Sequence, residues 1–173
     1  DNSLTRRQHG FRPKRGCHTN LFEAQEKIIS QTDIHGAVIE TWSFDLQKAF
    51  DLLDHAKALK LCNKAGINGH VGKSIENWLT NRHQYVQCNK ETSDPRLVNR
   101  SCIQGSVLGP SMWLIYVQSL LDRLEDENVD HYAYADDVAI VPKISTKEEI
   151  DQFNDTLDIL LKWGTDYEMK WGA

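Results

Sequence analysis

Three of the 25 acidic residues stand where acids are not expected. Asp45 interrupts the apolar run Trp42-Ser-Phe-Asp-Leu46. Asp136 and Asp137 lie side by side within His131-Tyr-Ala-Tyr-Ala-Asp-Asp-Val-Ala-Ile-Val141. Strand-forming residues flank the pair, which predicts a tight hairpin turn. Adjacent carboxylates repel, and partial burial raises the cost of ionising both. A hard cation bound through oxygen, Mg²⁺ or Mn²⁺, relieves that repulsion. If the strand carrying Asp45 ends beside the hairpin, the acids can hold two ions about 4 Å apart, the arrangement of in-line phosphoryl transfer. Asp is also a favoured turn residue, and spacing alone leaves both readings open.

The surrounding sequence predicts the elements that position these acids. Val38–Leu46, rich in β-branched and aromatic residues, reads as a buried strand. Ala49, Leu52, Leu53, Ala56 and Leu59 form one helical face that Gly66 ends. A helix starts near Asn20 and Glu23, and another spans Val71 to about Asn81. Tyr85-Val86 and Leu97-Val98 flank the turn-rich segment 89–95 and suggest a hairpin. Ser106 caps a long helix through Leu124, with Pro110 tolerated in its first turn. Thr146 and Glu149 form a capping box for a helix that Gly164 ends, and Tyr167, Met169 and Trp171 alternate like a strand. Helices mixed with hairpin-joined strands argue for an α+β layered fold.

The chain has 173 residues, a net charge of -5, and 40% hydrophobic and 26% charged residues. That composition is ordinary for a globular chain and excludes low-complexity and collagen-like structure. The longest apolar stretch, Val107 to Leu121, is broken by Gly109, Pro110 and Gln118, too short for a membrane span, so no membrane partner is expected. No signal peptide is visible. Cys17, Cys62, Cys88 and Cys102 fit no zinc-site spacing and read as reduced thiols of an intracellular protein. Charge is uneven. Arg6, Arg7, Arg12, Lys14 and Arg15 form a basic strip without an acid, whereas residues 122–158 hold twelve acids and three bases. Such a strip can neutralise phosphates or be a solvated loop.

Taken together, these segments resemble the reverse transcriptase domain of non-LTR (LINE-type) retrotransposons. The resemblance runs through Leu4-Thr-Arg-Arg-Gln-His-Gly-Phe-Arg-Pro-Lys-Arg-Gly-Cys17, Phe44-Asp-Leu-Gln-Lys-Ala-Phe-Asp-Leu-Leu-Asp-His55 and Trp78-Leu-Thr-Asn-Arg-His-Gln-Tyr-Val86. It continues through Gln104-Gly-Ser-Val-Leu-Gly-Pro110 with Leu114-Ile-Tyr116, and Tyr134-Ala-Asp-Asp137. It implies a right-hand polymerase fingers–palm fold, with an antiparallel palm sheet and catalytic hairpin packed on helices. About 1–35 and 67–103 would be the fingers side, and about 36–66 and 104–173 the palm. It also implies an RNA-directed DNA polymerase using two Mg²⁺ ions, Mn²⁺ being possible, held by Asp45, Asp136 and Asp137, with Asp45 and Asp136 the principal ligands. Phe50 would be the gate that excludes a 2′-hydroxyl, although periodicity also allows a core Phe. Gln104 and Gly105 would contact the nucleotide, though Gln104 could equally cap the following helix. Arg12, Lys14 and Arg15 would lie near template or triphosphate, and Tyr134 and Ala135 would flank the primer end. The implied partners are an RNA template, a DNA primer, dNTPs, and the thumb and endonuclease of a parent polyprotein. Nuclear access is implied as well.

The sequence departs from the family pattern at Ile103, where proline is usual, at Ser101-Cys102, and at Gln118-Ser119-Leu120, where Asn-Asp-Leu is common. A later lysine motif and a thumb are expected to be missing. The isolated fragment is therefore expected to be weak or inactive. An inactive relic retaining nucleic-acid binding and an intron-encoded reverse transcriptase are the alternatives. A metal-dependent nuclease accounts for the carboxylates but not for Gln104-Gly105 or the basic strip.

Overall fold

A computed structural model describes residues 4–33 and 36–172. In chain order the elements are α1 (Cys17–Thr32), β1 (Trp42–Phe44), β2 (Leu46–Gln47), α2 (Ala49–Leu52), α3 (His55–Lys64) and α4 (Gly69–Leu79). Next come β3 (Arg82–Gln84), β4 (Gln87–Cys88), β5 (Glu91–Thr92), β6 (Arg96–Val98) and α5 (Leu108–Asp126). Last are β7 (His131–Tyr134), β8 (Asp137–Ile140), α6 (Lys147–Tyr167) and β9 (Lys170–Trp171). The expected α+β character is present. Two compact units divide it: Asp1–Ala49 with Val117–Ala173, and Phe50–Tyr116.

The first unit is built on an antiparallel sheet of order β1-β8-β7 and a separate β2-β9 pair. Leu120, Leu121 and Leu124 of α5, Val138 and Ile140 of β8, and Leu160 and Trp163 of α6 are buried in this unit. The single strand expected over Val38–Leu46 is instead two short ones, and burial is confined to Leu46 of β2, while Trp42 of β1 is 43% exposed. β1 is an edge strand, paired on one side only, and the β-branched Val38, Ile39 and Thr41 lie before it, outside any named strand. The capping box forms as the sequence indicates, with Glu149 N–H donating to Thr146 Oγ1 at 3.2 Å and Thr146 N–H to Glu149 Oε2 at 3.2 Å. Gly164 does not end α6, which runs on to a left-handed Glu168 (φ 54°). The glycine instead allows a close approach, since a Cβ there would lie 2.9 Å from Trp171 Nε1. α1 also begins earlier than expected, after Gly16, whose N–H donates to Thr19 Oγ1 at 2.9 Å.

In the second unit the helix expected after Lys48 is broken into α2 and α3. Asp54 breaks it by acting as an N-cap, accepting from Lys57 N–H at 2.9 Å. The expected hairpin is present as two nested pairs, β3 with β6 and β4 with β5. Ser106 caps α5 as expected, accepting from Gly109 N–H at 3.1 Å. Leu53, Ala58, Cys62, Leu79, Met112 and Trp113 are buried here. All four cysteines are free. Among the described residues, no helix is long and apolar enough to cross a membrane.

His131, on β7, is fully buried. Its Nδ1 lies 2.9 Å from the Val129 carbonyl oxygen, and Nε2 has no partner among the described residues. Burial holds its pKa below the usual 6.5, against the raising effect of the Val129 carbonyl, Glu125 and Asp130; Arg7 adds to the lowering. The folded state therefore resists a proton that the unfolded chain accepts. This contribution to stability is complete above about pH 6.5 and is lost as the pH falls toward the folded-state pKa, by up to about 1.4 kcal/mol per pH unit. Urea denaturation at pH 7.5 and 5.5 is expected to show this loss, and His131→Leu to reduce it. An equal loss in both chains would assign it to other groups.

Candidate metal and nucleotide site

β7 and β8 are joined in the register Tyr134↔Asp137, so Ala135 and Asp136 form the two-residue turn. Buried Ala133 and Val138 anchor the hairpin, while Asp136 is half-buried and Asp137 exposed. Ala135 takes a left-handed φ of 58°, an uncommon conformation for a residue with a Cβ. β1 pairs with β8 through Phe44↔Val138. One step further along that ladder, Asp45 comes opposite the position of Asp137. The end of the strand and the turn therefore share one sheet edge.

Asp45 also joins two ladders. β2, which follows it, pairs with β9, and Gly172 N–H donates to the Asp45 carbonyl at 2.7 Å. A Cβ at Gly172 would lie 3.2 Å from Asp45 Oδ2. The Asp137 carboxyl is held above its usual pKa, first by burial and then by the negative charges of Asp136 and Asp45. Asp137 thus feels the charges of both other acids, and carboxylate oxygens are the donor type that hard divalent cations take. Among the described residues, no group of three or more His, Cys, Asp or Glu side chains is gathered closely enough to hold a metal ion as it stands.

The basic strip is more structural than its charge suggests. Arg7–His9 runs beside β7, with His9 N–H donating to the Ala133 carbonyl at 2.8 Å and Ala133 N–H to the Arg7 carbonyl at 2.9 Å. Arg12 donates to the carbonyls of Thr5 and Gln8. Arg15 donates to the Arg6 carbonyl and lies 3.8 Å from Glu23. Lys14 is exposed, at φ 61°. Gly10 fits tightly against the turn: a Cβ there would lie 2.8 Å from Ala135 Cα and closer still to its nitrogen. Gly10→Ala is therefore expected to cost about 1–3 kcal/mol of overpacking, measured by denaturant unfolding. An unchanged midpoint would refute the close fit.

In the second unit, Phe50 is half-buried with its ring 5.8 Å from that of Trp113. It is thus at least partly a packing residue. Gln104 is exposed and donates from Nε2 to Asp51 Oδ1 at 2.9 Å. Gly105 takes φ 75°, which glycine adopts without strain.

The family model described as reverse transcriptase (RNA-dependent DNA polymerase) matches residues 2–171. The chain belongs to the reverse transcriptase family. Its relatives place it with non-LTR retrotransposon proteins. It is 38% identical over 64 residues, 36% of its own length, to the Pol polyprotein of type-1 retrotransposable element R1 2 of Nasonia vitripennis, of which 16% is covered. It is 25% identical over 175 aligned positions to the RNA-directed DNA polymerase from mobile element jockey of Drosophila funebris, covering 96% of this chain and 18% of that one. The chain thus spans less than a fifth of either relative. Its fold is that of a reverse transcriptase polymerase domain. Telomerase from Candida albicans, solved with a fragment of telomeric RNA, superposes on 97% of this chain and 32% of its own at a TM-score of 0.66 and 10% identity.

In this reverse transcriptase chain the structure brings Asp45, Asp136 and Asp137 to one sheet edge, with Tyr134 and Ala135 alongside. Phe50, Gln104 and Gly105 belong to the other unit. Sequence reasoning gave no role to Gln8, a buried polar residue beside the turn. The available signal was an uncharged amide inside a basic strip, two residues before a glycine.

Proposed function

We propose that this chain is the polymerase core of a retrotransposon reverse transcriptase that extends a DNA primer on an RNA template by transfer of nucleotides from dNTPs. The observation that carries this reading is the register of β1 on β8, which ends at Phe44↔Val138 and so brings Asp45 level with Asp137, beside the Ala135–Asp136 turn. Asp45 and Asp136 would hold two Mg²⁺ ions, or Mn²⁺, with Asp137 completing the negative field. Bound there, such ions supply activation of the primer 3′-hydroxyl and neutralisation of the transition-state charge. Tyr134 and Ala135 flank the primer end, and Phe50 bars a 2′-hydroxyl. Gln104 and Gly105 contact the nucleotide, and Arg12, Lys14 and Arg15 the template or triphosphate. Residues 36–66 and 104–173 serve as palm, and 1–35 and 67–103 as the fingers side. The thumb and endonuclease come from the longer polyprotein, which acts where chromosomal DNA is accessible.

The test is primer extension by the longer chain on matched RNA and DNA templates, with and without Mg²⁺. Metal-dependent extension on RNA that requires Asp45 and Asp136 is expected. Extension indifferent to both residues would overturn the proposal, and no extension under any condition would favour the relic.

A further inference from the structure

We infer that Gln8 is a positioning residue for the catalytic turn: its side-chain amide clamps both backbone polar groups of Ala135 and so fixes the direction in which Asp136 and Asp137 leave the sheet. Gln8 is 1% exposed. Its Nε2 donates to the Ala135 carbonyl at 3.1 Å, and its Oε1 accepts from Ala135 N–H at 2.9 Å and from Gly10 N–H at 2.7 Å. Three good bonds on one buried amide use its orientation fully, and reversing the amide would set donor against donor and acceptor against acceptor.

The clamp acts at the residue with most need of one. Ala135 is left-handed at φ 58°, and such a conformation persists in a residue with a Cβ only where the surroundings over-determine it. Both Ala135 backbone groups lie in a turn, outside the β7–β8 ladder. The next two residues are the paired acids Asp136 and Asp137, whose like charges repel at such short range. The parallel bridge of Gln8 to Ala133 fixes the clamp to the strand that leads into the turn.

The inference rests on the proposed metal-site reading, and the experiment separates the two. Amide exchange is followed by NMR in the 173-residue chain, and Mn²⁺ affinity is measured by electron paramagnetic resonance. In the unsubstituted chain, the Ala135 backbone amide and the Gln8 side-chain amide protons are expected to exchange at least tenfold slower than free amides. Free exchange of either overturns the clamp, whether or not any variant folds. In Gln8→Met, Ala135 is expected to exchange at least tenfold faster while the amides of Leu120 and Leu124 stay protected, and Mn²⁺ to bind about tenfold more weakly. Faster exchange with Mn²⁺ affinity unchanged within twofold would make Gln8 merely structural and overturn the positioning role. Mn²⁺ binding undiminished in Asp136→Asn would instead overturn the metal-site reading, with the exchange rates still judging the clamp.

Discussion

On the proposed metal-site reading, Asp136→Asn is expected to lower RNA-templated extension by the longer chain about a thousandfold, since it removes a carboxylate that would hold the ions neutralising the transition-state charge, and to do so without unfolding the protein. The two effects separate because the Asp136 charge works against the ionised Asp137 in the folded state. Asp137 has its pKa raised by burial and by the charges of Asp136 and Asp45. A carboxyl whose folded-state pKa exceeds its unfolded value is favoured in the fold only while protonated, and that advantage is gone above the folded-state pKa. At neutral pH the ionised Asp137 is therefore a small load on stability, reduced by solvent because its side chain is exposed. Removing the charge at position 136 should leave the melting temperature unchanged or raise it by about a degree or two. Extension assays paired with thermal melts check this. A melting temperature that falls with activity would mean that Asp136 supports the fold.

Trp163→Ala has the opposite signature. Trp163 is fully buried, stacks on Tyr167 at a centroid distance of 5.1 Å, and lies 6.1 Å from the Trp171 ring. Its indole N–H donates to Ser119 Oγ at 2.9 Å. Truncation forfeits the transfer free energy, leaves a cavity between α5 and α6, and removes the donor. The expected cost is about 3–5 kcal/mol, a large share of the roughly 5–15 kcal/mol that holds a domain folded. Trp163→Phe should recover part of the loss. Circular-dichroism unfolding measures both, and a shift under about 1 kcal/mol for the alanine variant would show that the layer can collapse around the cavity.

The features legible in the sequence were those written in local chemistry. The capping box at Thr146 and Glu149, the turn at Asp136 and the Ser106 cap each depend on side chains within a few residues. The misread elements depend on distant partners. Val38–Leu46 looks like one buried strand because its residues are β-branched and aromatic, yet it divides at Asp45 as the pairing partner changes from β8 to β9. Gly164 looks like a stop, because nothing nearby reveals that Trp171 will lie against it. Gln8 was hidden for the same reason, since its partner is 127 residues away. For the acids, the turn was readable from strand patterning, but their convergence depended on a register that no single segment encodes.

The junction at Asp45 has a mechanical consequence. Because its backbone carbonyl ties Asp45 to Gly172, the path of the chain after α6 bears on the end of β1. A change in the path of β9 reaches the Asp45 backbone through this 2.7 Å hydrogen bond and through the β2–β9 pairing beside it. The placing of Asp45 and the seating of β9 are thus not separately adjustable in this chain.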